Sequence, residues 1–373
     1  MMEIYLDNAA GTKIDNEVLN IINEAYKQFY GNPSSLHYLG EKSLDYLNLQ
    51  KEKISKILNC KPSELIFTST GTESINLAIK GFINNQKKHV ITSAIEHPAV
   101  LESCKFLENF GFKTSILSVN NEGLIDLEKL KCSITKDTAL ASIQYANNEI
   151  GTIQNIKEIS KICKDNNVLF HTDACQVVGY EDINVKNLNL DLLTLNGNKI
   201  YGPHIGLLFI KEGIKLEPLI HGGGQQKGLR SGTEDLPSIA GFALALEKVE
   251  ESKNQEVNKL TKLRDKLISS TLKIKGTYLI GPENRLCNNA SIVFKDLSSD
   301  SLILSLSDHK LYVSSGAACA SRTKKPSHVL NAIKLNKKDI ESSIRFTLSK
   351  YTTEKEIEKA LEIIQKVVNN LRK

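Results

Sequence analysis

The order of apolar runs and helical patterns in this chain predicts an α/β fold, a mainly parallel sheet with helices on both faces, followed by a smaller domain that mixes strands and helices. Three observations carry that expectation. Buried-strand patterns alternate with amphipathic helical patterns from residue 64 to residue 210, the order that builds parallel sheets. Polar residues follow the strands and so gather at their carboxyl ends, where such sheets bind ligands. At 373 residues the chain also exceeds the size at which one hydrophobic core stops growing, so a second domain is expected.

Taken in order, residues 4–11 read as a short extended segment that ends in small residues, and residues 31–35, Gly-Asn-Pro-Ser-Ser, as a loop. Residues 42–58 have the pattern of an amphipathic helix. A buried strand at 64–68 turns through Ser69-Thr-Gly-Thr-Glu73 into a helix whose apolar face is Ile75, Ala78, Ile79 and Phe82. Thr70 and Glu73 have the spacing of a capping box. Such a helix start aims free N–H groups at one place and suits a phosphate, although a capped helix with no ligand would read the same way.

Further strands are expected at 89–92, 113–119, 139–144 and 168–171, with helices from Pro98, near Leu127 and over 156–165. The polar residues after these strands are Thr72, Glu96, His97, Asn147, Asn148, Asp173 and Gln176. Each has an ordinary structural use, His97 as a helix cap before Pro98 for instance; together they are better explained by one shared site. Residues 190–195 and 206–210 are then two more core strands, and Lys199 sits in the polar, glycine-punctuated turn between them. A lysine held there cannot easily send its ammonium into water, so its pKa should fall and its amine should serve carbonyl chemistry. The alternative is a surface lysine whose stem lies on apolar neighbours.

The charged run 247–275, with Leu260, Leu263 and Leu267 at helical spacing, reads as a connector into the second domain. There a strand at 290–294, a short helix at 302–306 and a strand at 311–314 lead into Ser315-Gly-Ala-Ala-Cys-Ala-Ser321. Residues this small cannot anchor themselves by burial, so the segment should be mobile, and Arg322, Lys324 and Lys325 should favour the thiolate of Cys319. In residues 343–348 Ile344, Phe346 and Leu348 share one face and Arg345 has the other, placed for a bidentate grip on a carboxylate or for a structural ion pair. A last helix, capped by Thr353 and Glu356, should bury Ile357, Leu361, Ile364, Val368 and Leu371.

Composition excludes several functions. The net charge of +5 is spread thinly and forms no basic stripe for direct nucleic-acid binding. No apolar run approaches a membrane span, and the first residues lack the basic and apolar regions of a signal peptide, so a cytoplasmic protein is expected. Seven cysteines without a Cys-x-x-Cys pair suggest neither a disulfide framework nor a metal site. Cys104, beside Val100 and Leu107, and Cys163, beside Ile156 and Ile159, should be core thiols.

These stretches together resemble the cysteine desulfurases, pyridoxal 5'-phosphate enzymes of fold type I related to class V aminotransferases. The matching motifs are Gly31-Asn-Pro-Ser-Ser, Thr72-Glu-Ser-x-Asn76, Glu96-His97, Asn147-Asn-Glu-Ile-Gly151 and His171-Thr-Asp-Ala-Cys-Gln176. They continue with Lys199-Ile-Tyr-Gly-Pro203, His221-Gly-Gly-Gly224, Arg230-Ser-Gly-Thr233 and Ser314-Ser-Gly-Ala-Ala-Cys319. The resemblance implies a seven-stranded sheet within a large domain over 15–255, a small domain over 256–373 carrying Cys319, and a segment 1–14 packed with the small domain.

It also implies roles. Lys199 would be the Schiff-base lysine, Asp173 the partner of the pyridinium nitrogen, His97 the residue stacked on the ring and moving protons, and Gln176 the partner of the ring hydroxyl. Gly71 and Thr72 would hold the phosphate, helped by Thr233 from the other subunit of a homodimer, while Asn148 and Arg345 would hold the substrate carboxylate. Cys319 would take the sulfur of L-cysteine as a persulfide, leaving alanine, and pass it to an acceptor protein for iron–sulfur clusters or tRNA thiolation. Where relatives read Ser-Gly-His-Lys before the lysine, this chain has Asn196-Gly-Asn198-Lys199, so weaker phosphate binding is expected. The last helix is followed at once by Lys373, without the longer tail with which some relatives dock a scaffold, so the resemblance leaves the acceptor open. Rival readings are an aminotransferase or selenocysteine lyase of the same fold, and a sulfur-relay partner with weakened cofactor binding.

Overall fold

The computed structural model describes residues 2–316 and 326–373. The chain begins with β1 (Ile4–Tyr5), α1 (Asn16–Gln28) and α2 (Tyr38–Leu58), then enters β2 (Leu65–Thr68), α3 (Gly71–Lys80), β3 (His89–Ser93), α4 (Pro98–Glu108) and β4 (Lys113–Leu117). Next come α5 (Leu127–Ser133), β5 (Thr138–Ser142), α6 (Ile156–Asp165), β6 (Leu169–Asp173), β7 (Leu192–Asn196), β8 (Gly206–Ile210) and α7 (Leu236–Glu251). The final part is α8 (Lys253–Thr271), β9 (Thr277–Leu279), β10 (Asn289–Phe294), α9 (Ser299–Asp308), β11 (Leu311–Tyr312), α10 (His328–Ala332), α11 (Lys337–Ile340), β12 (Ser343–Thr347) and α12 (Glu354–Leu371).

Seven strands form the large sheet in the order β2-β8-β7-β6-β5-β3-β4. All neighbours run parallel except β8, which is antiparallel to both β2 and β7. Both faces of the sheet are covered, which is why its central strands are apolar without a break. Leu65, Phe67, Phe170, Leu193, Leu195 and Leu207 pack on one side with α1, α2, α6 and α7. Their alternates Ile66, Leu192 and Leu208 pack on the other with α3 and α4. Cys163 and Cys104 lie in these two cores, as their helical spacing predicts.

A separate core joins Ile4 and Leu6 to Leu260, Leu267, Ile292, Phe294, Ile344, Phe346, Ile357, Ile364 and Val368. Its sheet is antiparallel in the order β12-β10-β9, and β1 pairs in parallel with β11. That pairing limits β11 to Leu311–Tyr312, shorter than the run of apolar residues suggests, because β1 offers only two residues to pair with.

The structure departs from the sequence reading in other places. Helix α1, capped by Asp15 accepting from Glu17 N and burying Val18, Ile22 and Ala25, is an element that the sequence reading leaves out. The helix expected at 42–58 starts one turn earlier, where His37 Nδ1 accepts from Gly40 N. The charged run 247–275 divides between the end of α7 and the whole of α8. In α12 the buried stripe passes through Ala360, Ile363 and Val367, leaving Leu361 half-buried and Leu371 exposed. Thr353 and Glu356 form the full capping box. Thr70 and Glu73 form only half of one, since the Glu73 carboxylate turns instead to Ser69 N at 2.7 Å and to Arg230 Nε at 3.0 Å.

Asp15 ties the two parts of the molecule together. Its carboxylate meets Lys350 Nζ, Lys248 Nζ at 3.3 Å and Tyr351 Oη at 3.3 Å, while its N–H donates to Tyr201 O at 2.9 Å. Burial pushes its pKa up, but the hydrogen bonds and charges of Lys350, Glu17 N and Lys248 together hold it well below the usual carboxylate range. A carboxyl group with a depressed folded pKa stabilises above its unfolded pKa, about 3.9, and that stability is lost as pH falls through the folded value. Asp15→Asn should therefore lower stability by about 1–2 kcal/mol at pH 7, with a gap from wild type that begins to narrow below about pH 4. Urea unfolding followed by circular dichroism across pH 3–8 measures both.

Candidate functional site

Strand β7 ends at Asn196, opposite Gly206 at the start of β8, so the chain must reverse between them at the carboxyl edge of the sheet. A Cβ on Gly206 would collide with Thr70 O and Thr68 Oγ1, which makes glycine obligatory where this turn abuts the start of α3. Thr12 fixes the turn from outside: its Oγ1 donates to Asn198 O at 3.0 Å and accepts from Tyr201 N at 2.8 Å. Tyr201 has φ of 64°, a left-handed conformation that this double anchoring holds in place. Lys199 Nζ leaves the turn and donates to Ala9 O at 2.8 Å and Ala10 O at 2.5 Å.

A cavity of about 720 Å³ opens at this edge. Its walls include Gly71 and Thr72 from the start of α3, His97 after β3, Asn148 after β5 and Asp173 and Gln176 at and after the end of β6. Asn196, Asn198 and Lys199 come from the turn, and Arg345 reaches in from β12. Of the expected site residues, Thr233 lies elsewhere: it lines a second cavity of about 190 Å³ with Ser69 and Arg230, and His204 borders both cavities. Cys319 lies outside the described residues.

The electrostatics follow from depth. His97 Nδ1 accepts from Ala99 N at 3.1 Å, which leaves Nε2 to carry the proton of the neutral ring. Burial holds His97 below the usual imidazole range; Asp173 pulls it up and Lys199 and His328 push it down. Asp173 Oδ1 accepts from Cys175 N at 3.0 Å. Behind it His171 bridges Ser142 Oγ at 2.8 Å and Thr194 Oγ1 at 3.0 Å, and burial brings its pKa down to about 4, so it is a neutral spacer within the sheet. The Cys175 thiol is pushed well above its ordinary range by burial and by Asp173. A thiol so placed is a poor nucleophile at neutral pH.

Two wall acids have no role in the sequence reading, although Glu96 is among the polar residues expected at this site. Glu96 is fully buried; its carboxyl accepts from Ser93 Oγ at 2.5 Å and Gln144 N at 2.9 Å, yet burial raises its pKa to about 8. Glu149 is also raised by burial, against the pull of Ser327, Arg345 and His328. Its Oε2 accepts from Ser327 Oγ at 2.6 Å, and His328 Nε2 lies 2.8 Å from the backbone carbonyl of Glu96, so the Glu149 carboxyl and the Glu96 main chain hold the start of α10. Glu149 falls inside a matched motif and could have been found there; His328 carries no local signal, because its partner is 232 residues away.

Arg345 is 1% exposed. Nη2 donates to Asp7 Oδ1 at 2.6 Å, and Nη1 donates to Gly316 O at 2.9 Å and Asn148 O at 3.3 Å. The ion pair with Asp7 thus coexists with a place on the cavity wall.

The cavity fits pyridoxal 5'-phosphate. A Cβ on Gly71 would lie 3.1 Å from Cys175 Sγ and 3.2 Å from Asn196 Cβ, so the bare helix start keeps a cradle that a side chain would fill. The first N–H groups of α3 have no intrahelical acceptor and suit a phosphate. Asn198 Oδ1 is buried without a partner among the described residues. An amide oxygen and a phosphate both accept, so it is the Nδ2 end of Asn198, beside Asn196 and Lys199 in the cavity wall, that would donate to the cofactor's phosphate.

Residues 4–360 match the family described as Aminotransferase class-V. The cysteine desulfurase IscS of Dictyoglomus turgidum is 44% identical over 99% of this chain and 95% of its own length. Among solved structures, a NifS-like protein superposes with a TM-score of 0.94 at 37% identity, covering 99% of this chain and all of its own. The protein SspA, solved in complex with cysteine, superposes with a TM-score of 0.83 at 34% identity, over 94% of this chain and 100% of its own.

An amide at 198 can donate to phosphate but cannot become charged, and charge-assisted bonds are the stronger ones. Asn198→His should therefore slow loss of the cofactor on dialysis several-fold, the equivalent of about 1 kcal/mol. The absorbance retained by the dialysed protein measures it.

Proposed function

The chain belongs to the aminotransferase class-V family, alongside cysteine desulfurases that match its full length, and on that premise we propose how its residues take sulfur from L-cysteine. The observation that carries the reading is that Lys199, His97, Asp173 and Gln176 share one cavity with Arg345, an amine and ring site facing a carboxylate site. SspA, the similar structure, is solved with cysteine bound, which supports L-cysteine as the substrate.

When bound, pyridoxal 5'-phosphate supplies an electron sink conjugated to the substrate amine. Lys199 would tether it, Asp173 would pair with its ring nitrogen, Gln176 with its ring hydroxyl, and Gly71, Thr72, Asn196 and Asn198 would hold its phosphate. His97, neutral at pH 7 with its proton on Nε2, is suited to cover the ring and to give up that proton, and Nδ1 can take one up once it releases Ala99 N–H. Arg345 and Asn148 would orient the substrate carboxylate. The Cys319 thiolate attacks the substrate sulfur: an S–S bond forms, the C–S bond breaks, and its electron pair stays with the carbon skeleton, which is protonated to L-alanine. The cysteines inside the fold are poorly suited to that attack, since burial raises Cys104, Cys163 and Cys287 to about 12.

The working unit we infer is a homodimer in which Thr233 of the second subunit completes the phosphate site. In support, Thr233 lies off the main cavity of its own chain, and Tyr30, Leu36 and Tyr38 stand 71%, 95% and 76% exposed around one loop. We place the protein in the cytoplasm, where its six described cysteines, none in a disulfide, stay reduced. The acceptor of the persulfide would be a protein of iron–sulfur cluster assembly or of tRNA thiolation, with no direct contact to nucleic acid.

Sulfide release from L-cysteine, with and without added cofactor, tests the activity. Lys199→Ala should abolish both the release and the borohydride-reducible link to the cofactor. Cys319→Ser should keep cofactor and substrate binding but form no persulfide on the peptide around position 319. A persulfide found on Cys175 would reassign the nucleophile.

A further inference from the structure

We propose that Asp7 is an internal competitor for the substrate carboxylate, a specificity-determining residue that holds Arg345 in the empty site and gives it up when a carboxylate binds. The inference rests on the reading of Arg345 as the carboxylate-binding residue and extends it to a group that no motif points to.

The observations are geometric. Arg345 lines the cavity from a position that is 1% exposed, and its guanidinium offers five N–H donors. Both hydrogens of Nη1 are matched by carbonyls, Gly316 O at 2.9 Å and Asn148 O at 3.3 Å, and one of the two hydrogens of Nη2 goes to Asp7 Oδ1 at 2.6 Å. Nε–H has no acceptor among the described residues although it is fully buried. A buried donor left unpaired costs free energy, and one on the wall of a cavity is paired by whatever enters.

Nε–H and Nη2–H lie side by side on one edge of the guanidinium, the edge that takes a carboxylate through two parallel bonds. Asp7 makes no bond to Nε, so an incoming carboxylate can gain a bond that Asp7 does not make. Two carboxylates held by one guanidinium repel each other. Substrate entry therefore brings a second carboxylate to a nitrogen that Asp7 already holds and works against that ion pair, and the pull of Asp7 opposes retention of the product, whose carboxylate is identical to that of the substrate.

Asp7 is well placed for this exchange. Its backbone is anchored independently of its side chain, through Ala10 N to Asp7 O at 3.1 Å and Tyr5 Oη to Asp7 O at 3.0 Å. The carboxylate can swing while the segment stays in place.

The test is calorimetric titration of the cofactor-loaded protein with 3-mercaptopropionate, which carries the thiol and carboxylate of the substrate but no amine to react. Asp7→Asn keeps the size and the acceptor oxygen but removes the competing charge, and Asp7→Ser removes the reach as well. Both should bind the probe about tenfold more tightly than wild type, with a lower KM for L-cysteine and stronger inhibition by L-alanine. A purely structural Asp7 would give the opposite sign, weaker binding and higher KM in both variants, and that result overturns the proposal. Arg345→Ala separates the two levels. If it abolishes probe binding while the Asp7 variants match wild type, the competition is refuted and the role of Arg345 stands; if it leaves probe binding intact, both fall.

Discussion

One antiparallel strand sets the geometry of this molecule. Strand β8 lies between β2 and β7 and opposes both, in a sheet that is otherwise parallel. The chain leaving β7 must therefore reverse at the carboxyl edge of the sheet, where helix starts and strand ends already converge. Lys199 is held at that reversal, and the contact that makes Gly206 obligatory presses the same turn against the residues leading into α3. The amine and the phosphate cradle are placed by one packing event, so neither can shift without the other.

The N-terminal segment then connects what the two cores keep apart. Ile4 and Leu6 are buried in the smaller core, while Thr12 pins the lysine turn and Asp15 meets Lys350 from the chain after β12. Between them Asp7 takes Arg345, and the carbonyls of Ala9 and Ala10 accept from Lys199. A dozen residues thus reach the amine, the guanidinium and both cores. Because the peptide unit is stiff, the spacing of these contacts along the segment fixes the separation of the groups they hold.

Burial does the remaining chemical work. The same desolvation that keeps His97 neutral raises Glu96 to about 8, and it pushes the interior thiols out of reach of the thiolate form. A deep polar wall of this kind costs stability unless its members are hydrogen-bonded, and here Ser93, Gln144 and Ser327 supply those bonds.

Much was legible in the chain itself, for a local reason. Strand and helix periods are written over four to ten neighbouring residues, and the turns that follow them are marked by glycine and polar residues, so the α/β alternation, the reversal at Lys199 and the gathering of His97, Asp173 and Gln176 could be read before any contact was known. The cap at Thr353 and the core thiols Cys104 and Cys163 were legible in the same way. Tertiary structure alone decided that β1 pairs with β11, that α10 is held by Glu96 and Glu149, that Thr233 stays off the main cavity of its own chain, and that Asp7 faces Arg345. The last two residues are 338 positions apart. A contact of that kind has no period and no spacing in the sequence; it exists only because the first residues of the chain pack into the core that its last third builds.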